Sequence, residues 1–158
     1  MLDLEVVVPR GTIRLTIKRD EDGSCELIAN FSSKGFSGSG SAYFGLANLV
    51  KIAVAFAALP LSKENRPCIQ GGYFDQGNSH VLSQEHLHIS ATPLGNTGRV
   101  RLLLRASTPV SETMPNELQR SASVEFSADY EQMRSLSLGL VDLAEGRCEE
   151  VVFEEFYS

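Results

Sequence analysis

The sequence predicts an α+β fold in which a mainly antiparallel β-sheet packs against two helices. Three observations support this prediction. Apolar and polar residues alternate with a period of two along several segments, as they do in half-buried strands. A nearly uninterrupted apolar run, 44–59, has the length and residue types of a helix, and residues 129–145 place apolar side chains at helical spacing.

Length and composition indicate one globular domain spanning 1–158. A chain of 158 residues can bury a sizeable core, and 42% apolar with 22% charged residues is ordinary for a soluble protein. The first residues include two acids and no basic region ahead of an apolar run, unlike a signal peptide, so we expect a cytoplasmic protein. Three widely spaced cysteines are then expected to be reduced thiols.

The first half is typical of a β-meander followed by a helix. Residues 12–18 alternate between apolar and polar, and residues 25–31 do so again after an acidic turn. The apolar run then predicts a helix over 46–59, which Pro60 ends. Because apolar residues occupy most sides of this helix, we expect it to be more buried than the second helix.

The second half contains the clearest hairpin, in which residues 85–92 and 99–105 both alternate around a Gly-Asn turn. A two-residue turn predicts apolar cross-strand pairs between Leu87 and Leu104, Ile89 and Leu102, and Ala91 and Val100. The opposite face of the hairpin then carries four basic or titratable side chains: His86, His88, Arg101 and Arg105.

An amphipathic helix over 129–145 follows, with Asp129 or Ser127 as its amino-terminal cap and Gly146 as its stop. A final strand is predicted from Cys148 to Phe153. Each half therefore contains several strands and then a helix, and short similar segments at 39–45 and 121–127 precede the two helices. This similarity predicts a duplicated β-meander-plus-helix unit, with one copy in 1–60 and the other in 67–145.

Acidic residues are concentrated toward the carboxy terminus. Residues 1–80 hold eight acids and eight bases, whereas residues 81–158 hold twelve acids and six bases. The last strand is flanked by four of these acids: Glu149, Glu150, Glu154 and Glu155. An acidic surface repels nucleic acid and anionic membranes and attracts basic proteins, so we expect a basic protein as the partner. A simpler interpretation is an edge strand that its charges keep soluble.

The sequence contains no motif that predicts catalysis, a cofactor or a metal. His86 and His88 point the same way on a strand, as in the metal sites of cupins, but Glu85 should point to the opposite face. The remaining cupin motifs are absent. Asp75 could be drawn into a triad with a histidine and a serine, yet no oxyanion-hole motif accompanies it. We therefore expect no catalytic residues, no cofactor and no bound metal.

Three segments resemble small bacterial domains of uncharacterised families similar to WapI-type immunity proteins. They are the run YFGLANLVKIAVAF, the hairpin that contains HLHISATPLGNTGRVRLLLRAS, and the helix that contains SVEFSADYEQMRSLSLGLVDLAEG. The resemblance is one of strand and helix order, with aromatic residues before each helix. It implies a cytoplasmic antidote that binds and neutralises a toxin domain, and it assigns no partner-contacting residue.

Two functional hypotheses follow from the sequence. The first is a non-enzymatic binder, an immunity protein, whose surface at Glu149, Glu150, Glu154 and Glu155 contacts a basic toxin domain. The second is an enzyme or small-ligand binder that uses the face carrying the two histidines and two arginines of the hairpin. Surface shape distinguishes them, because a pocket with converging histidines would favour the second hypothesis.

Overall fold

The structure is a computed structural model that describes residues 8–62, 64–111, 113 and 116–156. This part of the chain forms eight strands and two helices, and the predicted α+β class with antiparallel strands is confirmed. In chain order the elements are β1 (Gly11–Arg19), β2 (Ser24–Ser33), β3 (Phe36–Gly45), α1 (Leu46–Ala55), β4 (Cys68–Asp75), β5 (Asn78–Leu94), β6 (Arg99–Ser107), β7 (Ser121–Ala128), α2 (Tyr130–Glu145) and β8 (Val151–Glu155).

The strands form two antiparallel sheets, and each half of the chain contributes its last strand to the sheet of the other half. The first sheet has the order β3-β2-β1-β8, and the second has the order β4-β5-β6-β7. Each sheet is thus a three-stranded meander to which one strand has been added, and the added strand follows the helix of the other half. The connectivity β-β-β-α-β therefore occurs twice, over 11–75 and 78–155, although an ancestral duplication stays a prediction.

Both sheets bury one face in a common core. The apolar residues of the strands alternate strictly with polar ones, and a period of two places every second side chain on the same face. Each sheet therefore has one apolar face, which is buried. The buried residues of the first sheet are Ile13, Leu15, Cys25, Leu27, Ala29, Phe31, Ala42, Phe44, Val151 and Phe153. Those of the second sheet include Ile69, Leu87, Ile89, Ala91, Val100, Leu102, Leu104, Ala106, Val124, Phe126 and Ala128.

Small residues on β3 let the two sheets approach closely. A Cβ added at Gly38 would lie 2.7 Å from the Cβ of Ala122 in β7, and one added at Gly40 would lie 2.7 Å from the Cβ of Ala106 in β6. Further along, a Cβ added at Gly71 in β4 would lie 2.6 Å from the Cβ of Ala42. β3 therefore crosses the strands of the second sheet in succession, at a separation that larger side chains would not allow.

Helix α1 is shorter and less buried than the sequence predicts. It ends at Ala55, and only Leu49 and Ala53 within it are buried, whereas Val54 is 56% exposed. Beyond it, the chain continues in tight turns with hydrogen bonds to the third preceding residue, which bury Phe56. The prediction that the first helix is the more buried one was wrong, because an apolar side chain can remain on the surface where no other element covers it.

Helix α2 matches its prediction. Asp129 forms a capping box with Gln132, and Gly146 ends the helix in a left-handed conformation at φ 81°. Six of its residues are buried: Met133, Leu136, Ser137, Leu140, Leu143 and Ala144. The Ser137 hydroxyl donates a hydrogen bond of 2.8 Å to the Ala53 carbonyl of α1, so the two helices are joined by a buried polar contact as well as by packing.

No helix in the described ranges is long and apolar enough to cross a bilayer.

We predict that Gly40→Ala destabilises the protein by about 1–3 kcal/mol, the usual range for overpacking a filled core. The added methyl would meet the Ala106 side chain and, at 2.9 Å, the backbone carbonyl oxygen of His86. Neither neighbour can rotate away. Urea unfolding monitored by circular dichroism gives the free energy of unfolding.

Gly45→Ala is the matched control for this prediction, since a Cβ at Gly45 would meet no atom within 4 Å. Gly45 is the amino-terminal cap of α1, where alanine is less favourable than glycine, and the lower entropy of the unfolded chain with alanine offsets part of that cost. Equal stabilities for the two variants would contradict the close crossing of the sheets.

Candidate functional site

The acidic carboxy-terminal segment lies on an edge strand of the first sheet. β8 pairs with β1 from Leu15 opposite Val151 to Gly11 opposite Glu155, and in the described chain no strand pairs with its other side. The strand begins three residues later than predicted. Val151, Phe153 and Glu155 point into the protein, and Val152 and Glu154 point outward.

Three of the four predicted binding acids are exposed. Glu149 and Glu154 extend into solvent, and Glu150 is also exposed but pairs with Arg14 of β1 at 2.9 Å. Glu155 is only 4% exposed, contrary to the expectation that it contributes to an accessible surface. The alternation of the strand explains this placement, because the side chain of Glu155 follows Val151 and Phe153 onto the inner face.

Glu155 connects the two sheets. Its carboxylate accepts a hydrogen bond from the backbone N–H of Ser127 in β7, and it lies 3.7 Å from the Arg10 guanidinium. The Arg10 backbone N–H also donates to the Glu155 carbonyl oxygen at 2.6 Å. A buried carboxylate is tolerated when it has such partners, so Glu155 has a structural role.

A groove separates β8 from helix α2. It encloses about 370 Å³, and its apolar surface includes two partly exposed side chains, Val152 at 42% and Phe156 at 39%. Glu154 borders it from the strand, and Asp129 and Glu131 border it from the first turn of the helix. The ten residues that line the groove include no lysine, arginine or histidine.

Sequence reasoning missed the helical half of this groove. The sequence predicts only a capping role for Asp129 and no role for Glu131. The signal that could have revealed them is the acidic start of an amphipathic helix placed next to an acidic strand. Their proximity in space depends on β8 returning past α2, which the sequence does not show.

The hairpin of β5 and β6 forms with a register shifted by two residues from the prediction. Leu87 pairs with Ala106, Ile89 with Leu104, and Ala91 with Leu102. The shift keeps the same residues in the core, since two residues is one full period of a strand. The connection is correspondingly longer than a two-residue turn, with the last pair at Leu94 and Arg99.

A β-bulge in β5 rearranges the residues before this hairpin. Gly71 of β4 pairs with Leu87, but the next residue, Gly72, pairs with Glu85, so His86 has no opposite residue. The bulge interrupts the alternation and brings Glu85 to the side of His88, where their side chains lie 3.1 Å apart. The prediction that Glu85 points away from His88 was therefore wrong.

His86 is buried rather than exposed, at 5%. Its Nε2 lies 2.6 Å from the Gln84 side-chain oxygen, and its ring meets that of Tyr73 edge-on at 4.4 Å. The Gln84 amide also binds both backbone groups of Val110, which fixes the following loop. Burial lowers the pKa of His86, so this residue is a neutral part of the core and not an accessible base.

His88 is also buried, at 9%, within a polar network on the outer face of the second sheet. Its Nε2 lies 2.8 Å from the Ser90 hydroxyl, and its Nδ1 lies 3.1 Å from both the Glu85 carboxylate and the Arg105 guanidinium. Cys68 lies 3.9 Å from the same nitrogen. Burial and the nearby Glu85 raise the pKa of the Cys68 thiol, which disfavours the nucleophilic thiolate.

The predicted cationic patch does not form as an open surface. Arg105 pairs with Glu85 at 3.2 Å, Arg101 pairs with Glu125 at 3.6 Å, and both histidines are buried. Within the described ranges, no cluster of three or more histidine, cysteine or acidic residues is arranged to hold a metal ion. Asp75 binds the backbone N–H of Gly77 in a turn, which gives it a local structural role.

Comparisons with protein-family models, with curated proteins and with solved structures give no significant match to this chain. The class of protein is therefore defined by its fold and surface: a two-sheet α+β domain with an acidic groove beside an edge strand.

We predict that Glu155→Ala destabilises the protein by about 1–3 kcal/mol, because the Ser127 N–H and Arg10 lose a buried partner. Glu154→Ala is the control, since that side chain is exposed and should have little effect. The free energy of unfolding in urea at pH 7 distinguishes them, and a Glu155→Ala variant as stable as the control would contradict the structural role.

We also predict a pH dependence that originates at His86. Burial holds its folded-state pKa below the ordinary histidine value of 6.5, so the unfolded state binds the proton more tightly. The stability contribution is fully present above pH 6.5 and decreases as the pH falls toward the folded-state pKa. In urea titrations at pH 7.5 and 5.5, wild type should lose more stability on acidification than His86→Gln does. An equal loss in both proteins would mean that His86 is not buried in its neutral form.

Proposed function

We propose that this chain is a non-enzymatic protein-binding domain that recognises a basic protein through the acidic surface around β8 and the start of α2. One observation carries the proposal: the groove combines exposed apolar side chains, Val152 and Phe156, with a rim of Glu154, Asp129 and Glu131 and no basic residue. Apolar contacts would supply affinity, and the acidic rim would select a basic partner.

The surrounding charges extend this acidic surface. Glu149 and Glu150 lie just before β8 and are exposed, and Glu150 is partly neutralised by Arg14. Clustered charges of one sign raise the rate at which an oppositely charged partner associates, by about 10–1,000-fold in favourable cases. Such steering acts on encounter, so exposed acids can matter for binding while contributing little to stability.

Within this class, we propose that the protein is a bacterial immunity protein that acts in the cytoplasm and neutralises a toxin domain. The resemblance in element order to WapI-type immunity proteins motivates the proposal, and an acidic surface suits a toxin with a basic cleft. A partner of this kind would occupy the groove and be covered by the domain, without any reaction.

The face that carries the two histidines suits an enzyme or ligand site less well. A general base must be accessible to its substrate, whereas His86 and His88 are buried and hydrogen-bonded to neighbouring side chains. The polar network around His88 instead holds β4, β5 and β6 together through Gln70, Glu85 and Arg105.

The proposal predicts that the tagged protein, purified from its native cells, retains one basic protein in stoichiometric amount. With that partner, Glu149→Gln combined with Glu154→Gln should slow association by about three- to tenfold at low salt and flatten its dependence on ionic strength. Stopped-flow fluorescence measures the rate, and the dissociation rate should change little.

Glu21→Gln combined with Glu64→Gln is the matched control, because it removes the same charge from exposed positions outside β8 and α2. If both double variants slow association equally, only net charge matters and the proposed surface is wrong. Recovery of no stoichiometric partner, or of an acidic one, would contradict the proposed function.

A further inference from the structure

β8 presents backbone hydrogen-bonding groups to the groove. The Glu154 carbonyl oxygen accepts a hydrogen bond of 2.8 Å from the Gln132 side chain of α2, so it points away from β1. Peptide groups in an antiparallel strand alternate in direction with a period of two. The N–H and C=O of Val152 therefore point toward the groove as well.

This edge is partly protected, because β8 is short, carries the charges of Glu154 and Glu155 and lies beside α2, but it is open at Val152. Proteins commonly protect such edges with proline, lysine, bulges or a covering element. β8 contains neither proline nor lysine, and its five residues pair with β1 without a register shift. The Gln132 side chain donates a hydrogen bond to the backbone carbonyl oxygen of Glu154, but the groove is open beside Val152.

We propose that the groove binds an extended basic segment of a partner protein, which adds to the first sheet as a strand next to β8. The inference rests on the proposed function and specifies how the partner is held. Backbone hydrogen bonds to Val152 would supply affinity, as in other cases of strand addition. Side chains on one face of the segment would lie beside Val152, Glu154 and Phe156, and those on its other face would lie toward Asp129 and Glu131 of α2.

Charge disfavours two other occupants of the groove. A second copy of this chain would place the acids of its own β8 against Glu154 and Glu131. The chain's residues 1–7 contain Asp3 and Glu5 and no lysine or arginine, so they would also bring negative charge to a negative rim. A basic segment from another protein is the occupant that the charges favour.

A defined peptide tests this inference without the native partner. The probe is acetyl-Lys-Val-Lys-Val-Lys-Val-Lys-amide carrying a fluorophore, and its control is the same peptide with every peptide nitrogen methylated. Both have the same charge and side chains, but the methylated peptide cannot donate strand hydrogen bonds. We expect fluorescence anisotropy at 150 mM salt to show binding of the probe and at least about tenfold weaker binding of the control.

Two further measurements use the protein itself. Val152→Pro removes the outward N–H without removing a hydrogen bond to β1, and Val152→Thr retains it, so only the proline variant should lose affinity for the probe by about tenfold. Circular dichroism checks that both variants fold. In wild type, hydrogen exchange at the Val152 amide should slow when the probe binds, which requires no substitution.

The outcomes separate this inference from the proposed function. Equal affinity for the two peptides, or no slowing of exchange at Val152, would overturn strand addition, and a basic partner recovered from cells would still support the binder. Failure of the probe to bind would also overturn it. If deletion of residues 1–7 were needed for binding, the groove would belong to the chain's own amino terminus, and the inference would again be wrong.

Discussion

The close crossing of β3 over the second sheet is the contact on which the rest of the structure depends. Gly38, Gly40 and Ala42 place almost no side-chain volume between the sheets, and Gly71 does the same from β4. Because β3 leads directly into α1, and β4 follows that helix, this crossing sets where α1 meets α2 and brings the two halves into one core. The three glycines are needed because they allow the sheets to approach closely. None of them has the left-handed backbone conformation that other residues avoid.

The exchange of last strands creates the candidate binding surface. α2 follows the second sheet, yet the chain then returns to the first sheet as β8, so helix and strand meet at a boundary between the two halves. Gly139 of α2 allows a close approach to Val151, and Gln132 binds Glu154 across the groove. Glu155 secures the end of β8 to β7. The inner face of β8 thus completes the core. Its outer face carries Glu154, and its backbone edge is open beside Val152.

The polar residues that look most like catalytic groups in the sequence stabilise the second sheet. Glu85 and His86 lie at a bulge where β4 and β5 extend beyond the end of β6, and His88 lies two residues further on, opposite Arg105 of β6. Glu85 accepts a hydrogen bond from Gln70 of β4, and His88 bonds to Arg105 of β6, so both link neighbouring strands. Gln84, the partner of His86, binds the loop at Val110. A buried polar group requires such partners if it is not to destabilise the fold. In the described residues, no buried side-chain nitrogen or oxygen lacks a hydrogen-bond partner. Such a network differs from an active site because its polar groups are buried and already have hydrogen-bond partners within the protein.

The α+β class, the strands with strict alternation, and α2 with its Asp129 cap and Gly146 stop could be predicted from the sequence alone, because periodicity and capping are local properties of the chain. Tertiary structure decided what depends on neighbours distant in sequence. The true end and exposure of α1 depended on which sides other elements cover. The bulge that turned Glu85 toward His88 depended on pairing with Gly71 and Gly72. The acidic groove exists only because β8 returns beside β1 and α2, and pairing between strands more than a hundred residues apart leaves no pattern in a single sequence.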